Sequence, residues 1–329
     1  MTELISIGTA AELEALSARG GVALLGRDEL LGHAPDGHWV LLADNSMLVA
    51  RCSLWWRKVP QLEGERTGII GHFAALDGAS AATLLNHCCR ELAGQGCSVV
   101  IGPMDGNSWR RYRFITSRGS EPPFFLEPDN PDQYPGYFEN AGFAPLARYY
   151  SNLDPDLGWE VAEPLKARLS RRGVRIRPLD AADFAAELER IYIISVAAFT
   201  SNFLYSPISR DEFMAMYTRV QNVVQPELVL FAEHQHQPVG FVFAIADLLH
   251  VRPTGGSDTM IIKSLAVLPE WNGKGIGPLL MAAVTANART LGYQRGIHAL
   301  MHEANRSRGL SGHHGAMIRE YTLYCRRLG

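Results

Sequence analysis

The sequence predicts an α/β fold of the mixed-sheet (α+β) kind, built as two tandem domains of similar design. Three observations carry that expectation. The chain has 329 residues, and at roughly 150 residues per domain that makes two. Each half runs through apolar strand-like segments into a strand–helix–strand unit, so the same order of elements occurs twice. A glycine-rich turn joins a strand to an amphipathic helix in the second half, too late in the chain for a doubly wound dinucleotide sheet.

In the first half, apolar runs predict strands at residues 39–43, 47–56, 66–76 and 98–104, the first two closing a hairpin over Asp44, Asn45 and Ser46. Between the last two, Ala81, Leu85, Cys88, Cys89 and Leu92 recur at helical spacing and predict a helix over 79–94, ended by Gly94 and Gly96. Pro122, Pro123, Phe124, Phe125 and Pro128 mark an irregular aromatic loop. A short helix over 132–141 leads into a strand over 145–152. Residues 156–173, charged and punctuated by Gly and Pro, read as a linker between a domain at 1–155 and a domain at 174–329.

In the second half a strand over 174–178 precedes helices over 181–199 and 211–223. Strands 227–233 and 238–247 pair over Gln235, His236 and Gln237, and a long strand follows at 258–267. The helix over 276–291 carries the stripe Ile276, Leu279, Leu280, Ala283, Val284, Ala288 and Leu291, and Gly292 ends it. Strands at 295–301 and 318–326 complete the set.

Composition narrows the function classes. At 47% hydrophobic and 20% charged residues, with net charge −3, nothing supports a nucleic-acid partner. No apolar run approaches the ~18 residues of a membrane span. The N-terminus lacks the basic start and apolar core of a signal peptide, so a cytoplasmic protein without a membrane partner is expected. Cys52, Cys88, Cys89, Cys97 and Cys325 form no CxxC pair and read as reduced thiols. The eleven histidines fall in no metal framework, and no metal is expected.

The informative string is Leu265-Ala266-Val267, Pro269, then Asn272-Gly273-Lys274-Gly275-Ile276-Gly277. Glycines let the backbone turn tightly, and the free N–H groups of the following helical turn make an anion site suited to a pyrophosphate. Pro278 lacks an N–H but fits the first turn. The string resembles the acyl-CoA motif of the GNAT superfamily, in which Leu-Ala-Val and a proline precede Gln/Arg-x-x-Gly-x-Gly/Ala. Asn272 departs from that pattern. Leu-Gly-Tyr at 291–293 and Asn305 continue the resemblance, which covers most of 174–329.

The resemblance implies acetyl-CoA as acyl donor. The backbone of Leu265, Ala266 and Val267 would meet the pantetheine arm and acyl carbonyl. Asn272, Gly273, Lys274, Gly275, Ile276 and Gly277 would form the pyrophosphate loop, and Asn305 would touch the pantetheine. The first half is similar to a degenerate copy in which Leu76-Asp77-Gly78-Ala79-Ser80 replaces the glycine loop, and Asp77 would repel a pyrophosphate.

An N-acetyltransferase acting on a small-molecule or peptide amine is thereby expected, with a homodimer left open. A non-enzymatic acyl-CoA-binding regulatory module is the competing class, because a carboxylate frequent in the family is missing near Ile261, as is a late tyrosine. His302 and Glu303 are the ionisable residues closest to the fifth-strand exit, and Ser311 occupies the region of the missing tyrosine.

Overall fold

A computed structural model of the chain describes residues 2–16, 19–252, 255–304 and 315–329. The first half opens with β1 (Glu3–Ser6), α1 (Ala10–Leu16) and α2 (Arg27–His33). The meander β2 (Gly37–Leu42), β3 (Leu48–Trp55) and β4 (Thr67–Ala75) follows. Helix α3 (Gly78–Gly94) returns the chain to β5 (Val99–Gly102), parallel to β4. Then come β6 (Phe114–Ser117), α4 (Tyr134–Asn140), β7 (Ala144–Asp154) and α5 (Glu163–Arg171). The second half holds β8 (Val174–Pro178), α6 (Phe184–Ala198), α7 (Arg210–Thr218), β9 (Val229–His234) and β10 (Gln237–Ala246). It ends with β11 (Thr259–Val267), α8 (Ile276–Thr290), β12 (Arg295–His302) and β13 (Ala316–Arg327).

The expected mixed sheet is present, and its local causes are those read from the sequence. The β2–β3 hairpin turns over Ser46 at φ +62°, and the β9–β10 hairpin turns over Gln235 and His236 at +52° and +63°. Two consecutive left-handed residues match the right-handed twist of the flanking strands. On α3 the stripe Ala81, Leu84, Leu85, Cys88, Cys89 and Leu92 is buried against β3 and β4. The predicted strands at 66–76 and 258–267 contain β4 and β11 with one-residue differences at their ends. The expected helix at 211–223 stops at Thr218 and resumes as a 3₁₀ turn at Gln221–Val223.

Among the described residues all thirteen strands join one sheet in the order β1-β2-β3-β4-β5-β13-β7-β12-β11-β10-β9-β8, with β6 attached to β13. The last strand of each half has crossed to the other. β13 pairs with β5, from Tyr324↔Gly102 to Arg327↔Val99, and β7 pairs with β12, from Gly296↔Asp154 to His302↔Tyr149. β7 and β13 pair with each other along most of their length. Neither half can be withdrawn without breaking the ladder hydrogen bonds of β5–β13, β7–β12 and β7–β13.

A polar chain runs through the interior of the first half. His38 Nδ1 meets Ser53 Oγ at 2.7 Å, Ser53 Oγ meets His72 Nδ1 at 2.9 Å, and His72 Nε2 meets His33 Nδ1 at 2.7 Å. Asp105 accepts the backbone N–H of His72 at 2.6 Å. Glu29 brings a carboxylate oxygen within 4.8 Å of the His33 and His72 nitrogens. Burial, and then the cations Arg110 and Arg51, push His33 and His38 down to about 4. Burial and the neighbouring histidines push His72 down to about 2. Burial raises Asp105 to about 6.

The sign of the pH effect follows from these shifts. Each histidine titrates lower in the fold than its ordinary 6.5, so the unfolded chain takes up its protons first as the medium is acidified. Their contribution is intact above about pH 6.5 and is lost on descent toward 4. Asp105, raised in the fold, opposes this with a single proton between about 6 and its ordinary 3.8. Urea midpoints are expected to fall from pH 6.5 to 4.5, and less steeply in His33→Gln. Equal slopes in the two proteins would contradict a neutral buried His33.

Candidate functional site

The site forms where β11 and β12 part. Their parallel ladder runs Thr259↔Arg295, Met260↔Gly296, Ile261↔Ile297, Ile262↔His298 and stops. β11 continues along its other edge with β10, to Gly240↔Val267. β12 stays with β7 through a shift between His298 and Met301. Leu300 sits in that shift at φ +61°, and its N–H goes to Ser151 Oγ at 3.0 Å. Beyond Ile262 the β12-facing edge of β11 therefore has no ladder partner among the described residues. Leu265, Ala266 and Val267 lie on this stretch, with Leu265 lining the cavity beyond and Ala266 buried.

Past β11 the chain makes a 3₁₀ turn, Pro269–Trp271, then Asn272, Gly273 at φ +74°, Lys274 and Gly275 at φ +96°. Gly275 is the left-handed residue from which α8 starts, and no side chain caps that helix. The N–H groups of Gly273, Gly275, Ile276 and Gly277 have no acceptor among the described residues. A Cβ on Gly275 would come within 2.7 Å of Leu165 Cδ1 on α5, in addition to being strained by φ. Arg168 of the same helix donates to Lys274 O at 3.4 Å, and Lys274 Nζ lies 4.6 Å from the centroid of Trp271. Stretch 272–277 is thus an uncapped, left-handed entry to a helix with cations beside it, the arrangement that accepts an anion.

The matching junction in the first half is closed by its own side chain. Asp77 is the N-cap of α3 and accepts Ser80 N at 2.8 Å and Ser80 Oγ at 3.1 Å. A carboxylate occupies the place that the second half leaves open.

The parted strands open into a cavity of about 650 Å³. Its walls come from both halves: Trp109, Arg113, Glu127 and Tyr149 from the first, and Phe199, Tyr217, Lys263 and His302 among those from the second. The first-half loop is tied down by Trp109 Nε1 to Ser206 O at 2.9 Å and by Arg110 to Glu212 at 2.6 Å. Leu126, Glu127 and Pro128 of the aromatic loop also line it. Glu127 is buried and fully engaged: Arg319 Nε donates to it at 2.8 Å, and the Tyr321 hydroxyl donates to the same oxygen.

His302 lines the cavity. Its Nδ1 accepts the N–H of Ala304 at 3.1 Å, so the neutral ring carries its proton on Nε2. That Nε2 is buried without a partner. Burial lowers its pKa, with Glu303 opposing and Arg113 reinforcing the shift. Glu303 stands outside the lining: its N–H donates to Arg148 O, and its carboxylate accepts Arg148 N at 3.0 Å, which completes the end of the β12–β7 pairing. Asn305 and Ser311 lie outside the described residues.

Sequence reasoning passed over Arg113 and Lys263, which both line the cavity. Lys263 falls where β10 and β11 slip register between Phe243 and Ala244, next to the last paired residue, Ile262. Burial, aided by the nearby Arg113, pulls its ammonium down to about 8.

Residues 188–312 match the model of the Acetyltransferase (GNAT) family, so the second half carries a GNAT domain. No curated protein sequence matches the chain significantly. Among solved structures, a tandem GNAT protein from the clavulanic acid biosynthesis pathway superimposes at TM-score 0.51 and 10% identity, covering 100% of this chain and 99% of its own. A GCN5-related N-acetyltransferase from Sphaerobacter thermophilus gives 0.52 at 15% identity, over 89% of this chain and 81% of that one. The GCN5-related glucosamine N-acetyltransferase region of a fungal multi-domain β-N-acetylglucosaminidase gives 0.56 at 12% identity over 99% of this chain, which spans 38% of the fungal protein. At these identities the likeness is one of fold.

Calorimetry with CoA is expected to return one site per chain. Gly275→Glu should weaken it on the order of 100-fold, about 2.8 kcal/mol, by bringing a bulky anion into the loop. Gly275→Ala should weaken it less, through strain alone. Unchanged affinity in Gly275→Glu would place the pyrophosphate elsewhere.

Proposed function

We propose that this chain, with its GNAT domain in the second half, is an acyltransferase that moves the acetyl group of acetyl-CoA onto a primary amine of a small molecule or peptide. The observation that carries the reading is the uncapped start of α8 following the unpaired edge of β11, whose Ser264 and Leu265 line the cavity. Residues 272–277 and the backbone of Leu265, Ala266 and Val267 would hold the donor. Bound there, acetyl-CoA would supply an acyl carbon activated as a thioester; the neutral amine nitrogen bonds to that carbon and loses one proton, the carbon–sulfur bond breaks, and the leaving sulfur takes up a proton, giving the amide and the free thiol.

The chain's own residues supply two further requirements. The amine must be neutral to react, and the cavity lowers amine basicity. Lys263 reports this directly, since burial and then Arg113 bring its ammonium to about 8. An acceptor amine in the same space meets the same desolvation and the same cation, and releases its proton to water at the mouth. His302 offers Nε2–H as a donor to oxygen or sulfur, because Ala304 occupies its Nδ1. His302 is a donor in this reading, and Glu303, held by Arg148, takes no part.

Among the described residues no helix is long and apolar enough to cross a membrane, which fits an acceptor delivered from solution.

Acetyl-CoA consumption over a panel of primary amines tests the reading. Turnover is expected, and His302→Phe should lower kcat by ~10²-fold while CoA binding persists. The rate should rise with pH as the acceptor ammonium loses its proton, a range in which burial keeps His302 neutral. Tight CoA binding with no amine acetylated would leave the regulatory acyl-CoA-binding module as the correct class.

A further inference from the structure

Arg113 is 6% exposed and lines the cavity, yet its Nε and Nη1 are buried with no hydrogen-bond partner among the described residues. The other well-buried arginines near the cavity are matched: Arg319 with Glu127, and Arg110 with Glu212. The carboxylate in the wall, Glu127, is already taken by Arg319 and Tyr321. Aromatic faces steady the guanidinium, with Tyr112 and Tyr149 at 4.0 and 4.2 Å from it and Tyr321 at 5.8 Å. Rings stabilise the cation but accept none of its N–H groups in the plane of the fork. The backbone at Arg113 is left-handed, φ +67°, and two more lining residues, Leu126 and Leu300, share that conformation at +65° and +61°. Such strain gathers where a side chain must be aimed. Lys263, partly buried in the same wall, likewise makes no hydrogen bond or ion pair among the described residues. With Arg110 and Glu127 each matched, the wall retains an excess of positive charge from Arg111, Arg113 and Lys263.

We infer that Arg113 and Lys263 form a carboxylate-binding subsite, so that the acceptor is an amino acid or amino-acid-like compound carrying its reactive amine and a carboxylate on an apolar body. The planar fork of Arg113, set against the Tyr112 and Tyr149 rings, matches the two oxygens of a carboxylate, and Lys263 adds a second charge. Trp109, Phe199, Phe203, Tyr205, Tyr217 and Phe243 in the lining suit the apolar remainder. The same cations that hold the carboxylate disfavour an ammonium, so a zwitterion would be anchored at one end and made nucleophilic at the other. The assignment of substrate class rests on the transferase reading above; the anion subsite itself does not.

The test uses the full chain saturated with CoA and follows tryptophan fluorescence, since Trp109 and Trp159 line the cavity. The probes are N-acetylphenylalanine and its uncharged amide, with inorganic phosphate as competitor. The acid is expected to bind at least ~10-fold tighter than the amide, the scale of a charge-assisted pair. Arg113→Met and Lys263→Met should each bring that ratio toward one, and Arg113→Lys should restore part of it. CoA binding by each variant reports that it has folded, and should one variant fail to fold, the other carries the prediction alone. An amide bound as tightly as the acid, or a ratio unmoved in the folded variants, overturns the subsite. Phosphate displacing the acid at lower concentration overturns the carboxylate assignment. Turnover of phenylalanine and phenylalaninamide is measured in parallel. Faster acetylation of the amide defeats the subsite and leaves the transferase standing. An intact acid preference with neither amine acetylated defeats the transferase and leaves the subsite standing.

Discussion

Between Ile262 and His298 the last rung joins β11 to β12, and the gap beyond it is the constraint on which the site depends. Both strands have other partners, β10 on one side and β7 on the other, so the gap does not cost the sheet its continuity. It leaves backbone groups of β11 facing open space at the point where α8 begins without a cap. Polar backbone in such a place needs partners. In the proposed reading, an extended amide-bearing chain ending in a pyrophosphate would satisfy both requirements at once, with its arm along the strand edge and its anion on the helix. Ser151 helps to hold the gap open by taking the N–H of Leu300 into the bulge of β12.

Ser151 belongs to β7, and so to the first half. The exchange of β7 and β13 ties the first half, whose α3 is capped by Asp77, to the strands of the second. The first half supplies the strand that borders the cavity, the tyrosines that pack against Arg113, and Glu127, which anchors Arg319 of β13. Two copies of one design thus divide the work. The second keeps the glycine loop, and the first, with Asp77 filling its own helix terminus, serves as wall and charge.

Local strings made the second half readable. A mixed sheet follows from the order of elements, and the run from Leu265 to Gly277 contains all that an anion loop needs: strand end, glycines and helix start. Asp77 was likewise visible as a charge where the other half has glycine, and the structure adds that it caps α3. The strand exchange was not legible, because β13 meets β5 and β7 through register across more than 160 residues, as in Ala316↔Leu153, and periodicity carries no partner label. Arg113 was missed for the same reason. Its significance lies in having no acid beside it, a property of the assembled wall. Lys263 was hidden by a bulge one residue beyond Ile262, which no propensity marks. Glu303 looked as well placed as His302 in sequence, but alternation at the strand end turns one into the cavity and the other onto Arg148.

A crystal structure of the chain with CoA tests the central claim most directly. The account predicts pyrophosphate oxygens within hydrogen-bond distance of the N–H groups of Gly273, Gly275, Ile276 and Gly277. It also predicts a pantetheine arm against the β12-facing edge of Leu265, Ala266 and Val267, with its sulfur at the parting of β11 and β12. A pyrophosphate bound at the start of α3, or a pantetheine arm lying outside the gap between β11 and β12, would contradict it.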